Sequence, residues 1–318
     1  MDRVLCMLLA VLVSCSAAAQ TFPARPVKLV VGFTPGGGVD IAARTLAPRL
    51  SELIGQPVIV ENKPGAGTNI ANEFVARSAP DGSTLLVTTP ALAINMSLYK
   101  KLPFDTLRDF AAVSIFSESP NVLAVNSKLP AGSLAEFLAY ARANPGKLNY
   151  SSAGSGTTQH LSAELFKLKT GISATHVPYK GTAPSLTSLI AGETDLSFAN
   201  IPAILQHVKS GRLRALAVAG VRRSEIMPDV PTMKEAGIEG VEVPVWYALL
   251  APAGTSREIV ILLGNAVIKA ARSPELKPRL LDLGMDPVGN TPEEFAKMLR
   301  EDIAKYAEVV KVSGAHPE

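Results

Sequence analysis

Residues 30–40 read VVGFTPGGGVD, a β-branched apolar run that breaks into glycines and one proline and then opens a helical pattern. The run has the character of a buried strand, and the following Ala42, Leu46, Leu50 and Leu53 fall on one helical face. Residues 34–39 are therefore a strand-to-helix turn. Gly36, Gly37 and Gly38 carry no Cβ, so a ligand can approach the peptide N–H groups at the helix start. Those N–H groups have no partner inside the helix, and the dipole adds roughly half a positive charge. The turn is thus suited to an anion. The same residues also suit a permissive turn that holds no ligand.

Outward from this turn, strands and helices alternate. The helix is expected over 39–54, with Pro48 as a kink and Gly55 as its stop. A strand over 57–61 leads into a second glycine-rich turn, Asn62-Lys63-Pro64-Gly65-Ala66-Gly67, and a helix through Ile70, Phe74 and Val75. Asp81-Gly82 turns the chain into a strand over 84–88, and further strands are expected over 112–116 and 121–125. Ser133 and Glu136 form a capping box for a helix to Ala143, and 147–151 is a short strand. Residues 152–159, SAGSGTTQ, then precede an amphipathic helix bearing Leu161, Leu165 and Leu168, which repeats the geometry of the first turn. Strands over 174–177 and 195–198 lead through Pro178-Tyr179-Lys180-Gly181 and Ala199-Asn200-Ile201-Pro202 into two more helices. After a strand over 213–219, the extended piece 241–250 reads as a return crossing between lobes, and the tail is helical, its last helix capped by Thr291. The alternation predicts parallel sheets covered on both faces.

The chain has 318 residues, long for one core and comfortable for two lobes, and a formal net charge of +3. Residues 1–19 read as a secretory signal peptide: a basic Arg3, an apolar core over 4–13, and Ala17-Ala18-Ala19 before the cut. Leu12-Val13-Ser14-Cys15 also resembles a lipoprotein box, which would leave Cys15 acylated and membrane-tethered; mass spectrometry of the mature N-terminus separates the two. Both cysteines, Cys6 and Cys15, lie in this leader, so a chain cut after Ala19 holds no disulfide and no thiolate metal site. No later apolar run approaches the roughly 20 residues that span a bilayer. Lys and Arg are scattered and aromatics make up only 5%, which disfavours a nucleic-acid footprint or a stacking platform.

Catalytic signatures fail on inspection. Gly65-Ala66-Gly67 and Gly154-Ser155-Gly156 lack the third glycine of a dinucleotide fingerprint, and no G-K-[ST] follows Gly181. Ser155 is not in a nucleophile elbow, and His160, His176, His207 and His316 show no paired spacing for zinc. What remains is a set of glycine- and hydroxyl-rich loops at strand carboxyl ends, where open α/β sheets bind ligands. Residues 34–40 and 152–157 contain no Lys or Arg, so an anion there would be held by backbone N–H groups, hydroxyls and water. Three or four charge-assisted hydrogen bonds of about 1.5–3 kcal/mol each would give roughly micromolar binding.

The segments PGGGVDIAARTLAP, VENKPGAGTNIA, APDGSTLL, NPGKLNYSSAGSGTTQHLSAELFK, HVPYKGTAPSLTSLIAGETDLSFANIP, LRALAV, MPDVPTMKEAG and NTPEEFAKMLRED closely resemble the Bug family, the substrate-binding proteins of tripartite tricarboxylate transporters. The resemblance covers essentially the whole mature chain. It implies a periplasmic two-lobed α/β (Venus flytrap) fold that closes on a small carboxylate, with no cofactor, no metal and no catalysis. It implies that the loop Thr34, Pro35, Gly36, Gly37, Gly38 and Asp40 faces the loop Ser152, Ala153, Gly154, Ser155, Gly156 and Thr157 across a cleft. Thr88, Thr89, Tyr179 and Asn200 would line the rest. Many relatives carry Asp at the position of Ala199 and a small-polar-His run at Thr89-Pro90-Ala91, so the resemblance does not carry over the distal specificity.

Asp40 reads either as a first-turn acid favoured by the helix dipole or as an acceptor for a ligand amino group. His160 reads as a packing or loop-tethering residue, Trp246 as core or hinge packing, and Tyr179 as a residue that reaches the cleft. The lobes are expected over 22–122 plus 243–318 and over 123–242, in a monomer that hands its ligand to membrane transporter subunits or, alternatively, to a membrane sensor kinase.

Overall fold

The computed structural model describes residues 22–317, so the signal-peptide reading and the acylation of Cys15 lie outside the described residues. Two sheets organise the chain. The first joins β1 (Val27–Val31), β2 (Val58–Asn62), β3 (Thr84–Thr88), β4 (Phe110–Ser119), β10 (Val245–Pro252) and β11 (Asp286–Pro287) in the order β11-β4-β10-β3-β1-β2. The second joins β5 (Asn121–Asn126), β6 (Leu148–Ser152), β7 (Ala174–Pro178), β8 (Leu196–Asn200) and β9 (Leu213–Ala219) in the order β7-β6-β8-β5-β9.

The sheets are mixed, which corrects the expectation of parallel ones. β1 is parallel to β2 and β3, and β6 to β7 and β8. In contrast, β10 runs antiparallel to β3 and β4, and β5 antiparallel to β8 and β9. The cause is the crossing. Only Pro120 separates β4 from β5, so the chain leaves one sheet and enters the next without a helical return that would keep it parallel. Pro120 has no N–H to give to either ladder, which suits it to the change of sheet. The chain comes back through residues 220–244 into β10.

The helices are α1 (Gly38–Ile54), α2 (Asn69–Ala76), α3 (Ala91–Leu98), α4 (Leu134–Ala143), α5 (Thr158–Thr170), α6 (Thr182–Ala191), α7 (Ile201–Lys209), α8 (Arg257–Ala271), α9 (Lys277–Asp282) and α10 (Pro292–Ser313). The capping chemistry read from the sequence is present at Thr291 and Gly55 and half-formed at Ser133, where the Glu136 carboxylate accepts from Gly132 N–H instead of the N-cap N–H. Glu136 N–H donates to Ser133 Oγ at 3.2 Å, Thr291 and Glu294 close a full capping box, and Gly55 ends α1 in the left-handed region at φ 71°. α1 continues past Pro48 to Ile54 as one element. The sequence reading missed α3: ALAINMSL is apolar almost throughout and has no amphipathic period, because it is buried on most sides.

Alternate residues of the first sheet supply two cores, as a sheet covered on both faces requires. Val27, Leu29 and Val31 pack with Leu46 and Leu50 of α1, whereas Val30 and Leu86 join a second cluster. That second cluster runs on through Trp246, Phe295 and Tyr306 to Phe166 and Phe198 of the other lobe. Trp246 is core packing: its ring meets Phe295 edge-on at 5.4 Å, and its Nε1–H donates to Asp302 at 2.8 Å. The two lobes therefore share apolar packing, with α10 laid along it.

Candidate functional site

The loop after β1 touches the loop after β7 and the end of β8, and the loop after β6 touches Tyr99 and the glycine turn after β2. Thr34 N–H donates to Lys180 O at 3.2 Å, and Tyr99 Oη–H donates to Ser155 O at 3.3 Å, so the lobes are hydrogen-bonded directly across the cleft. Glycine is required where they meet. A Cβ on Gly38 would lie 2.3 Å from Asn200 Oδ1, one on Gly67 2.3 Å from Ser155 O, and one on Gly181 2.2 Å from Thr34 Oγ1. Gly37 is less tight, with Thr182 Cβ 3.5 Å from such a position.

This packing brings helix N-termini together. The start of α1 lies against the starts of α6, at Thr182 and Ala183, and of α7, at Asn200. α5 joins them through Gln159, whose Nε2 donates to Thr182 Oγ1 at 2.7 Å. Ile41 N–H, bonded to Gly37 O at 2.9 Å, makes the first internal bond of α1. The N–H groups before it have no helical partner, and four helix dipoles point their positive ends at one region. Asn200 caps α7 by backbone position, yet its side chain makes no capping bond. The amide is buried, turned toward Gly38, and its Oδ1 has no partner among the described residues; Thr34 Oγ1 is likewise buried and unpartnered. Buried polar atoms left unbonded cost roughly 1–3 kcal/mol each.

Asp40 is bonded within its own lobe. Its carboxylate accepts from Gly36 N–H at 2.9 Å, Arg44 Nε at 3.0 Å and Asn62 Nδ2 at 2.9 Å. Burial works to raise its pKa, but the bonds from Arg44, Gly36 and Asn62 outweigh that and hold it below the ordinary carboxylate value. A carboxylate so engaged braces the glycine turn. Arg44 is occupied by the same network, so no free guanidinium enters the loop.

The second loop is also largely bonded to itself. Ala153 N–H donates to Gln159 Oε1 at 2.9 Å, Gly154 N–H to Ser152 Oγ at 3.1 Å, and Gly156 N–H to His160 Nδ1 at 3.3 Å. The donors that remain toward the cleft are those of the α5 start at Thr158 and Gln159. Pro35 and Gly36 are exposed at the rim, and Tyr179 is half-buried, its N–H donating to Ser152 O at 3.0 Å. Thr88 and Thr89 are buried at the end of β3, where Thr89 Oγ1 accepts from Ala91 N–H at 3.3 Å and starts α3. Ala199 packs with Leu186, Leu189 and Ile204, so the departure at that position changes core packing.

Several residues of this region escaped the sequence reading: Gly67, Thr68, Asn95, Tyr99, Gln159 and Thr182. The glycine-rich turn over 62–67 was the available signal. Thr68 is buried with φ 81°, a left-handed conformation that a β-branched residue adopts only under constraint, and its Cβ would lie 2.8 Å from one on Gly32. Ser152 Oγ and His176 Nε2 are 2.7 Å apart, a nucleophile-and-base spacing that the sequence did not disclose. Burial, followed by the neighbouring His160, holds the His176 pKa down to about 3, so the ring is a poor proton acceptor, and Ser152 is fully enclosed. Among the described residues, no three His, Cys, Asp or Glu side chains are grouped to hold a metal, and no helix is long and apolar enough to cross a membrane.

The chain matches the family described as "Tripartite tricarboxylate transporter family receptor" over residues 42–315. It is similar to BugT of Bordetella pertussis, with 38% identity over 95% of this chain and 94% of BugT. An R. palustris protein solved with adipate superposes with a TM-score of 0.90 at 38% identity, covering 93% of this chain and 100% of that one. MatC from Rhodopseudomonas palustris with bound malate gives a TM-score of 0.86 at 34% identity, covering 91% and 100%. The chain therefore belongs to the Bug family of tripartite tricarboxylate transporter receptors, and is a two-lobed binding protein rather than an enzyme.

Proposed function

We propose that this protein captures a small organic carboxylate in the periplasm and delivers it to the membrane subunits of a tripartite tricarboxylate transporter. The observation that carries the reading is the convergence of the α1, α5, α6 and α7 N-termini beside two loops, 34–40 and 152–157, that contain no Lys or Arg. Such a site attracts an anion through dipoles and backbone donors and releases it without breaking a salt bridge. The contacts are assigned to Thr34, Gly37 and Gly38 on one lobe and to Asn200, Ser155, Gly156, Thr157 and the α5 start on the other. Thr88, Thr89 and Tyr179 are assigned to the ligand's distal end. The open form presents only half of these donors, so a ligand that needs both sides shifts the population toward closure. Adipate and malate, held by two relatives, set the size to try first.

The test is a thermal-shift screen over mono-, di- and tricarboxylates, aromatic acids and amino acids, followed by calorimetry. At least one dicarboxylate is expected to bind at micromolar Kd or tighter, and Asn200→Ala to weaken it by about tenfold or more. Indifference to every acid would overturn the proposal. Loss of uptake of that acid on deleting a co-expressed transporter subunit would support delivery to transport.

A further inference from the structure

Beneath the second loop, three near-parallel rings cluster. Tyr150 of β6 stacks on His176 of β7 at 4.6 Å with planes 15° apart, and His176 stacks on His160 of α5 at 4.3 Å with planes 8° apart. Each imidazole also reaches the loop through a ring nitrogen. His160 Nδ1 accepts Gly156 N–H at 3.3 Å, and His176 Nε2 meets Ser152 Oγ at 2.7 Å, which in turn accepts Gly154 N–H at 3.1 Å. Gly154 and Gly156 lie at φ 127° and 82°, so these bonds hold the backbone where side chains rarely allow it to go.

We propose that His160 and His176 are positioning residues: an uncharged, stacked imidazole pair that turns the Gly154 and Gly156 N–H groups inward and so fixes residues 152–157 against the α5 start. An accepting Nδ1 requires the His160 proton to sit on Nε2, and a second proton would set a donor against the Gly156 donor. The loop is thereby anchored to both β7 and α5. This assignment rests on the reading of residues 152–157 as a ligand loop only for its effect on binding; the effect on the loop itself stands apart from it.

The groups facing the pair keep it neutral. His160 is surrounded by Tyr150, His176, Glu164, Lys167 and His316, and Glu164 is occupied by Lys167 at 2.8 Å and by the Tyr150 hydroxyl. Burial is the largest cause of a His160 pKa near 4; Glu164 opposes it, and His316 and Lys167 add to it.

The experiment uses the full mature chain and two substitutions at His160. His160→Phe keeps a ring in the stack and removes the acceptor, whereas His160→Asn places an oxygen near Nδ1. Amide hydrogen exchange at pH 7 is expected to quicken about tenfold or more at Gly156 in His160→Phe, to stay near wild type in His160→Asn, and to be unchanged over 34–38 in both. In wild type the Gly156 amide signal is expected to move with a midpoint near 4, a transition absent from His160→Asn. His176→Phe should act in the same way on Gly154. Exchange at Gly154 and Gly156 that ignores both phenylalanine variants would overturn the proposal. With adipate and malate as probes, weaker binding by His160→Phe alone supports the link to the ligand. Faster exchange with unchanged affinity would keep the positioning role and overturn the placement of the ligand.

Discussion

Substitution of Gly38 by Ala separates binding from folding. An added Cβ would stand 2.3 Å from Asn200 Oδ1, 2.6 Å from its Cγ and 2.8 Å from its Nδ2, so the amide has to retreat by about 1 Å to reach ordinary contact. Gly38 is the first residue of α1, and its φ is not among the positive ones, so Ala there brings no backbone strain. Helix propensity alone favours the variant by up to roughly 0.5–1 kcal/mol. Displacing the amide removes its hydrogen bond to a charged ligand, about 1.5–3 kcal/mol, or roughly a 10- to 150-fold rise in Kd. The assay pairs calorimetry of the best carboxylate with thermal melts of the ligand-free protein. Kd should rise while Tm holds or climbs, and in an Asn200→Ala background Gly38→Ala should cost little more. Wild-type affinity in the single variant, or equal losses added by both changes, would refute the assignment of Asn200 to the closed site.

Gly154→Ala, in contrast, should lower both: φ 127° and a Tyr179 carbonyl 3.0 Å from the new Cβ strain the backbone by about 1–3 kcal/mol, visible in urea melts, and undiminished stability would contradict this. Asp40→Asn should destabilise by roughly 1–3 kcal/mol at neutral pH by weakening the Arg44, Gly36 and Asn62 bonds. Because the folded-state pKa of Asp40 is depressed, its contribution is complete above the ordinary value of 3.8 and is lost only as pH falls below that; a difference from wild type that has vanished by pH 6 would speak against it. The His160 pKa is lowered from 6.5 to about 4, so the unfolded chain takes the proton first and stability falls as pH drops from 6.5 to 4, by roughly 3 kcal/mol from this residue. A flat urea-melt profile over that range would exclude it.

Local physics made much of this molecule legible. A glycine triplet between a β-branched run and an amphipathic period can be little else than a strand-to-helix turn, and the caps at Ser133 and Thr291 and the stop at Gly55 sit where their chemistry requires. Segments such as HVPYKG and NPGKLNY also pointed to the family, and the resemblance implied the two loops. The sequence was silent wherever the answer depended on an approach between distant residues. Antiparallel entry of β5 and β10 follows from the two crossings between the sheets, at Pro120 and through 220–244, which no periodicity encodes. α3 has no visible period because it is enclosed, and Thr68 shows its strain only once folded. Asp40, read as a first-turn acid or a ligand acceptor, is engaged by Asn62, which lies 22 positions away on β2. Hydrogen-bond partners and stacked rings are set by the closing of two sheets on each other, whereas turns and caps are set within a few residues; the first kind required the tertiary structure, and the second was already written in the chain.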